Sequence, residues 1–356
     1  MSRWHDVRVP VSRTNRYLAA TEEMLSKATR AGRVPFAIVL LQPLLASQSG
    51  AQPSRPSQIP PSPPTAAAAS AIGEYASGKD TLIVFERGQR LFAHRGARDV
   101  PLQPSQLERG SSGRAVRVRL GTESFARIAV GTEEGVVFRV TPIRPVDALR
   151  REALAAIPPS SDSARAVVDL VELVTLDPGI RLDIRYASIN NFLGTPVYSS
   201  ARAFLQRPAA LALVRAHRTL SGYGFGLLIH DAYRPWYVTR MFWDATTGAD
   251  HAFVADPASG SRHNRGAAVD LTMYDLATGK AVRMPSGYDE FSSRAFAAYP
   301  GGSALERWRR EVLRMAMERE HFRVNPVEWW HFDFDGWHDY PLINVAFEAL
   351  GERRPR

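Results

Sequence analysis

Between about Val167 and Tyr340 the chain carries four apolar, strand-like runs: LDIRYA, GFGLLIHDAY, AAVDLTMYD and VEWWHFDF. Two helix-like stretches lie among them: ARAFLQRPAALALVRAHRTLSGYG, broken by Pro208 and closed by glycines, and ALERWRREVLRMAMEREHF. The two periodicities mix without strict strand–helix alternation. No Gly-rich phosphate loop joins a strand to a helix. The pattern argues against a dinucleotide-binding fold and predicts an α+β domain. The histidines and carboxylates of interest stand in or beside the strands, so chemistry is expected at the sheet.

The 356 residues leave room for more than this domain. Lys27, Arg30 and Arg33 precede an apolar stretch from Val34 to Ala46, and Ser49 and Ala51 stand like the −3 and −1 positions of a cleavage site. That is the layout of a secretory signal peptide, and it fits a start at Met24 better than one at Met1. The stretch is too short and too interrupted by Pro35 and Pro43 to be a permanent membrane span. Residues 1–51 are thus read as an N-terminal extension with a signal-like segment at 24–51, and residues 52–71 as a Pro/Ser/Ala-rich linker. The expectation is export to the periplasm, or a cytoplasmic protein if the segment is not a signal.

Residues 72–145 read as a small antiparallel β module. TLIVFERGQRLFAHRG has two apolar runs around Arg87-Gly88-Gln89, which predicts a hairpin, and ARIAVGTEEGVVFRVTPI repeats the arrangement. His94 reads as a surface strand residue. Residues 146–166 hold a connecting helix, VDALRREALAA, stopped by Pro158-Pro159, and a loop. Residues 167–356 form the C-terminal domain.

Composition narrows the chemistry. The chain has no cysteine, which removes disulfides, thiolate metal sites and cysteine nucleophiles, and leaves His, Asp and Glu as ligands. The formal charge of +9 rests almost wholly on arginine, with lysine only at Lys27, Lys79 and Lys280. The arginines are scattered and form no basic block with interleaved aromatics, so no nucleic-acid partner is expected.

Three motifs carry the chemistry. In HDAYRP, Arg234 follows the end of an apolar strand and Pro235 stops further pairing. In SRHNRGAAVD, Gly266 lets the backbone turn between His263 and the strand bearing Asp270. A carboxylate between Val269 and Leu271 is costly to bury unless it is paired or bound to a cation. In PVEWWHFDF, Glu328 precedes His331 by three residues, an odd separation that puts them on opposite faces of a regular strand. They share a site only if the strand begins, bends or bulges between them, and Pro326 favours a beginning. Together His263, Asp270 and His331 supply two imidazoles and a carboxylate, the three-ligand set of a catalytic zinc that keeps a fourth position for water. Such a zinc lowers the pKa of its water towards about 7 and polarises a carbonyl. Glu328 is then the general base and Arg234 a stabiliser of the oxyanion.

The motif SxHxxGxAxD (Ser261, His263, Gly266, Ala268, Asp270) with EWWH (Glu328 to His331) resembles the zinc D-alanyl-D-alanine dipeptidases of the VanX type. IRYASINNFLGTPVY (Ile184 to Tyr198) and GFGLLIHDAYRP look like upstream segments of the same family. The resemblance covers about Leu182 to Tyr340 and stops short of the β module. It implies a central antiparallel sheet with flanking helices, the D-Ala metallopeptidase or Hedgehog-like fold. It also implies one Zn2+ per chain on His263, Asp270 and His331, with Glu328 as base and Arg234 at the transition state. Tyr186, Ser261 and Asp289 would line the pocket for a small D,D-dipeptide, Asp289 beside its free amine. His230 is left as a structural or supporting residue. Family members that give vancomycin resistance act in the cytoplasm, so export points instead to scavenging of D,D-dipeptides from wall turnover. Two alternatives are a D,D-carboxypeptidase trimming longer wall peptides and a non-catalytic zinc protein binding them. An intact Glu328 speaks against the second.

Overall fold

The structure, a computed structural model, describes residues 56–131, 136–160, 165–248 and 250–350; the signal-like segment lies outside them. Two larger sheets organise it. The first is wholly antiparallel and built from β1 (Gly73–Ser77), β2 (Asp80–Arg87), β3 (Arg90–Arg95), β4 (Arg98–Pro101), β5 (Leu107–Arg109), β6 (Ala115–Leu120) and β7 (Glu123–Arg127). Its order is β4-β3-β2-β1-β7-β6-β5. Gly88 and Gln89 both have φ near +60°, the two-residue turn whose twist matches a hairpin, so β2 and β3 pair from Arg87↔Arg90 onward. Tyr75, Leu82, Val84, Phe125 and Val118 form a core of their own. His94 lies on β3 and pairs with Asp99 at 2.9 Å, as a surface strand histidine does.

The second expected hairpin lies elsewhere. It forms between β6 and β7, and residues 136–143 carry no strand. Phe138 and Val140 pack instead against the core of the C-terminal domain, and the Val140 amide donates to the Phe192 carbonyl. Packing there removes part of their apolar surface from water.

The second sheet carries the site. After helix α1 (Val146–Ala155) come β8 (Leu170–Glu172), β9 (Arg181–Leu182), β10 (Phe204–Gln206), helix α2 (Arg207–Ser221), β11 (Phe225–Asp231) and helix α3 (Trp236–Ala245). Then follow β12 (Ala268–Asp275), helix α4 (Ala304–Glu318), β13 (Phe322–Asn325) and β14 (Glu328–Phe334). The order is β13-β14-β12-β11-β9, antiparallel except for the parallel edge pair β9–β11; β8 and β10 form a separate antiparallel pair. The domain is α+β with a mainly antiparallel sheet. Pro208 does not break a helix: it sits in the first turn of α2, where a missing N–H costs nothing. Helix α3, entered through Pro235, was not evident in the sequence. Helix α4 starts with a capping box, Ser303 and Glu306 exchanging hydrogen bonds with each other's amides. β12 is buried along almost its whole length, so any charge on it must be compensated inside the protein.

Candidate metal centre

Three neighbouring strands align one residue each. Asp231 on β11 pairs with Asp270 on β12, and Asp270 pairs with His331 on β14. The first pairing depends on a bulge at His230 that shifts the register between Ile229 and Asp231. His263 arrives from outside the sheet, on a short 3-10 turn ended by Gly266 at φ +65°. A Cβ on Gly266 would stand 2.4 Å from Leu170 Cδ2, so both backbone and space require glycine there.

His263 Nε2, Asp270 Oδ1 and His331 Nδ1 form a triangle with sides of 3.2, 3.1 and 3.0 Å. Ligand atoms of a tetrahedral zinc at about 2.0–2.2 Å stand about 3.3 Å apart, so the spacing fits. The tautomers fit as well. His263 Nδ1 lies 2.6 Å from the Ala232 carbonyl, which only accepts, so that nitrogen carries the proton. His331 Nε2 lies 2.9 Å from Asp333 Oδ1 and donates to it. In neutral rings the two remaining nitrogens present lone pairs to each other and to a carboxylate oxygen. Burial works against a charge on His331, yet Asp333 and Asp270 more than offset it and hold the ring well above the usual imidazole range. The cluster calls for positive charge at its centre, which a divalent cation supplies by displacing a proton. Among the described residues this is a metal-competent group: all three donors are buried within 4.8 Å of one another.

Glu328 opens β14, and a bulge opposite Val324 and Asn325 brings it round to the face of His331. Its Oε2 lies 3.7 Å from His331 Nδ1 and accepts from Asn325 Nδ2 at 2.9 Å. Burial pushes its carboxyl above the usual range, with His331 opposing and Asp270 adding to the rise. Arg234 is held from below: Nε and Nη2 both donate to Asp231 Oδ2, at 2.9 and 2.8 Å. Asp231 Oδ1 in turn accepts from Tyr198 Oη at 2.6 Å and the Ala232 amide at 2.9 Å. The guanidinium also lies over the Phe242 ring, 4.9 Å from its centre, and its Nη2 reaches within 3.7 Å of Asp270.

Asp289 is buried in the left-handed region at φ +55° and accepts from Tyr186 Oη at 2.8 Å. Burial, reinforced by Asp270, pushes its carboxyl well up. Ser261 accepts the His263 amide on its hydroxyl at 3.2 Å. All eight residues singled out in the sequence, Tyr186, Arg234, Ser261, His263, Asp270, Asp289, Glu328 and His331, line one pocket of about 280 Å³.

Three supporting residues escaped the sequence reading: Tyr288, Asn325 and Asp333. Tyr288 Oη donates to Asp270 Oδ2 at 3.0 Å. Asp333 had a usable signal, since it lies two residues from His331 on the same strand and so on the same face. Asp231 stands three residues before Arg234 in HDAYRP, so a pairing of the two was open to the sequence, and the structure forms it; only the bulge that aims Asp231 was invisible in an apolar run. His230 is a buried support: its Nδ1 faces the Asp183 carbonyl at 3.2 Å and its ring lies against Tyr288.

A family profile described as D-Ala-D-Ala dipeptidase, peptidase M15, matches residues 166–344. A D-alanyl-D-alanine dipeptidase of Escherichia coli strain K12 is 34% identical over 182 residues, 51% of this chain and 93% of that protein. Those of Enterococcus faecium and Streptomyces coelicolor are 35% and 34% identical, over 48% and 46% of this chain and 92% and 93% of their own lengths. The matched span holds the five-stranded sheet and every residue of the pocket, and with it the chain belongs to the D-Ala-D-Ala dipeptidase family of M15 peptidases.

Proposed function

We propose that this protein hydrolyses D-alanyl-D-alanine to free alanine with one Zn2+ held by His263, Asp270 and His331. The observation that carries the reading is the convergence of three buried donor atoms within about 3 Å beside a carboxylate that is not one of them. Zinc bound there supplies Lewis acidity, lowering the pKa of water and polarising the scissile carbonyl. Glu328, its affinity for protons raised by burial, takes a proton from the attacking water as the oxygen adds to the carbonyl carbon. It then hands that proton to the amine nitrogen as the C–N bond breaks. Arg234, fixed by Asp231, donates to the oxyanion. Asp289 and Tyr186 receive the substrate's ammonium, and Ser261 contributes to the wall beside His263.

A pocket of about 280 Å³ suits a dipeptide better than a longer wall peptide, and a buried Asp289 suits a free amine. Both favour a dipeptidase over a carboxypeptidase. Metal analysis with hydrolysis assays on D-Ala-D-Ala, L-Ala-L-Ala, N-acetylated D-Ala-D-Ala and a wall pentapeptide tests the reading. Zinc near one per chain and selective cleavage of free D-Ala-D-Ala are expected. Equal cleavage of the acetylated substrate would favour the carboxypeptidase.

We assign residues 167–356 as the catalytic domain, 72–145 as a β module whose last part, 136–143, docks on that domain, 146–166 as the connection, and the segment at 24–51 as an export signal to the periplasm. No helix among the described residues is long and apolar enough to cross a membrane. Scavenging of dipeptides from wall turnover follows from export. N-terminal sequencing of the mature protein should find a start near Gln52.

A further inference from the structure

A second, larger cleft of about 820 Å³ opens between the seven-stranded sheet and the stretch of the C-terminal domain from β12 to α4. It shares a wall with the dipeptide pocket: Tyr288 and Trp329 line the cleft, while their chain neighbours Asp289 and Glu328 line the pocket. Its charge is one-sided. Arg114, Arg127, Arg185, Arg283, Arg294 and Arg309 line it against the single carboxylate of Glu306. Part of that charge is committed, since Arg283 pairs with Glu306, Arg294 with Glu290 and Arg185 with Asp183. Arg309 is different. It donates to the Arg283 carbonyl at 3.2 Å, and its buried Nε finds no acceptor among the described residues. Thr272, on β12 and 5% exposed, lines the same cleft with a buried hydroxyl that also has no partner among them.

Buried donors without acceptors are uncommon in folded proteins and point to a missing partner. A guanidinium takes an acceptor bearing negative charge most strongly, and carboxylate or phosphate matches its fork. The volume lies within the range of small-molecule sites and is nearly three times that of the dipeptide pocket. We propose that this cleft binds an anionic ligand larger than a dipeptide, bearing carboxylate or phosphate groups, with Arg309 and Thr272 among its contacts. The proposal does not depend on the dipeptidase reading, because none of the metal-binding or catalytic residues is involved.

The test is calorimetric titration of the full-length, metal-loaded protein with inorganic phosphate, glucuronate and neutral glucose. Wild type, Arg309→Gln and Thr272→Val are compared. Binding of phosphate or glucuronate that weakens with salt is expected, and the preferred probe identifies the chemistry. Arg309→Gln should weaken it about tenfold or more and Thr272→Val by up to about tenfold, with dipeptide turnover retained. Absence of binding by both anions would overturn the proposal, as would glucose binding equally well. So would unchanged anion affinity in both variants, which would remove Arg309 and Thr272 as its contacts.

Discussion

Asp231→Asn removes one charge and almost no volume, and its consequences follow from the geometry around Arg234. Asp231 is fully buried; one of its oxygens takes two guanidinium donors and the other takes a tyrosine hydroxyl and a backbone amide. An asparagine offers a single acceptor. If its NH2 faces Arg234, donors confront donors. If it faces the other way, the Ala232 amide loses its acceptor. Breaking one partner of a buried ion pair costs about 3–5 kcal/mol. At about 2–4 °C per kcal/mol for domains of this size, the melting temperature should fall by roughly 6–20 °C. The freed guanidinium has another carboxylate within reach, Asp270 at 3.7 Å, and a shift that way misaims it for an oxyanion. Removing an oxyanion donor outright costs about 10²–10³ in kcat, which sets the ceiling. The expected result is a kcat between tenfold and that ceiling below wild type, with metal content near normal. Metal analysis, steady-state kinetics on D-Ala-D-Ala and thermal unfolding on one preparation decide the matter. A kcat within twofold of wild type would refute the idea that Asp231 positions Arg234.

Glu328→Gln should keep the metal, since the three donors are untouched, and lose about 10²–10⁴ in kcat with a much smaller change in substrate affinity; loss of metal would mean Glu328 is a ligand. Asp333→Ala leaves His331 without the acceptor for its Nε2 proton and should weaken metal binding about 10–100-fold in a competition titration with a chromophoric chelator. Asp289→Asn should weaken dipeptide turnover at unchanged metal content, whereas an effect equal on free and N-acetylated substrate would detach Asp289 from amine recognition. His230 is pulled down to about 3 by burial, with Arg185 acting in the same direction, so it stays neutral in the folded protein while the unfolded chain titrates near 6.5. Its contribution to stability is therefore complete above about pH 6.5 and falls as the pH drops towards 3, by about 3 kcal/mol at pH 4. In denaturant titrations at equal metal content, His230→Phe should lose less stability between pH 7 and pH 4 than wild type, and an equal loss would remove His230 as the cause.

The strands bearing the candidate metal donors were legible because β12 and β14 are long apolar runs interrupted by groups that cannot be buried alone. The difficulty posed by Glu328 and His331 had its resolution in view: Pro326 favoured a strand beginning there, and β14 begins at Glu328. What the chain did not disclose was set by distant packing. Residues 136–143 have strand-like alternation, yet Phe138 and Val140 spend it on another core. LDIRYA gives only Leu182 to the two-residue parallel strand β9, and its second half is a 3-10 turn that places Tyr186 in the pocket wall. The bulge in β11 that brings Asp231 into line with Asp270 leaves no mark in composition.

The row Asp231, Asp270, His331 across three adjacent strands ties the candidate metal donors and the anchor of Arg234 to sheet alignment. Each strand supplies one rung, and a slip of one residue in any of them would carry its group to the opposite face. A sheet paired out of step would still bury its apolar run along β12, yet it would hold no ion. Metal affinity thus reports strand alignment more sharply than melting temperature or secondary-structure content does. For the same reason, single-residue insertions inside β12 or β14 should abolish metal binding and one inside β11 should misplace Arg234, while additions to exposed loops between strands leave the rungs aligned.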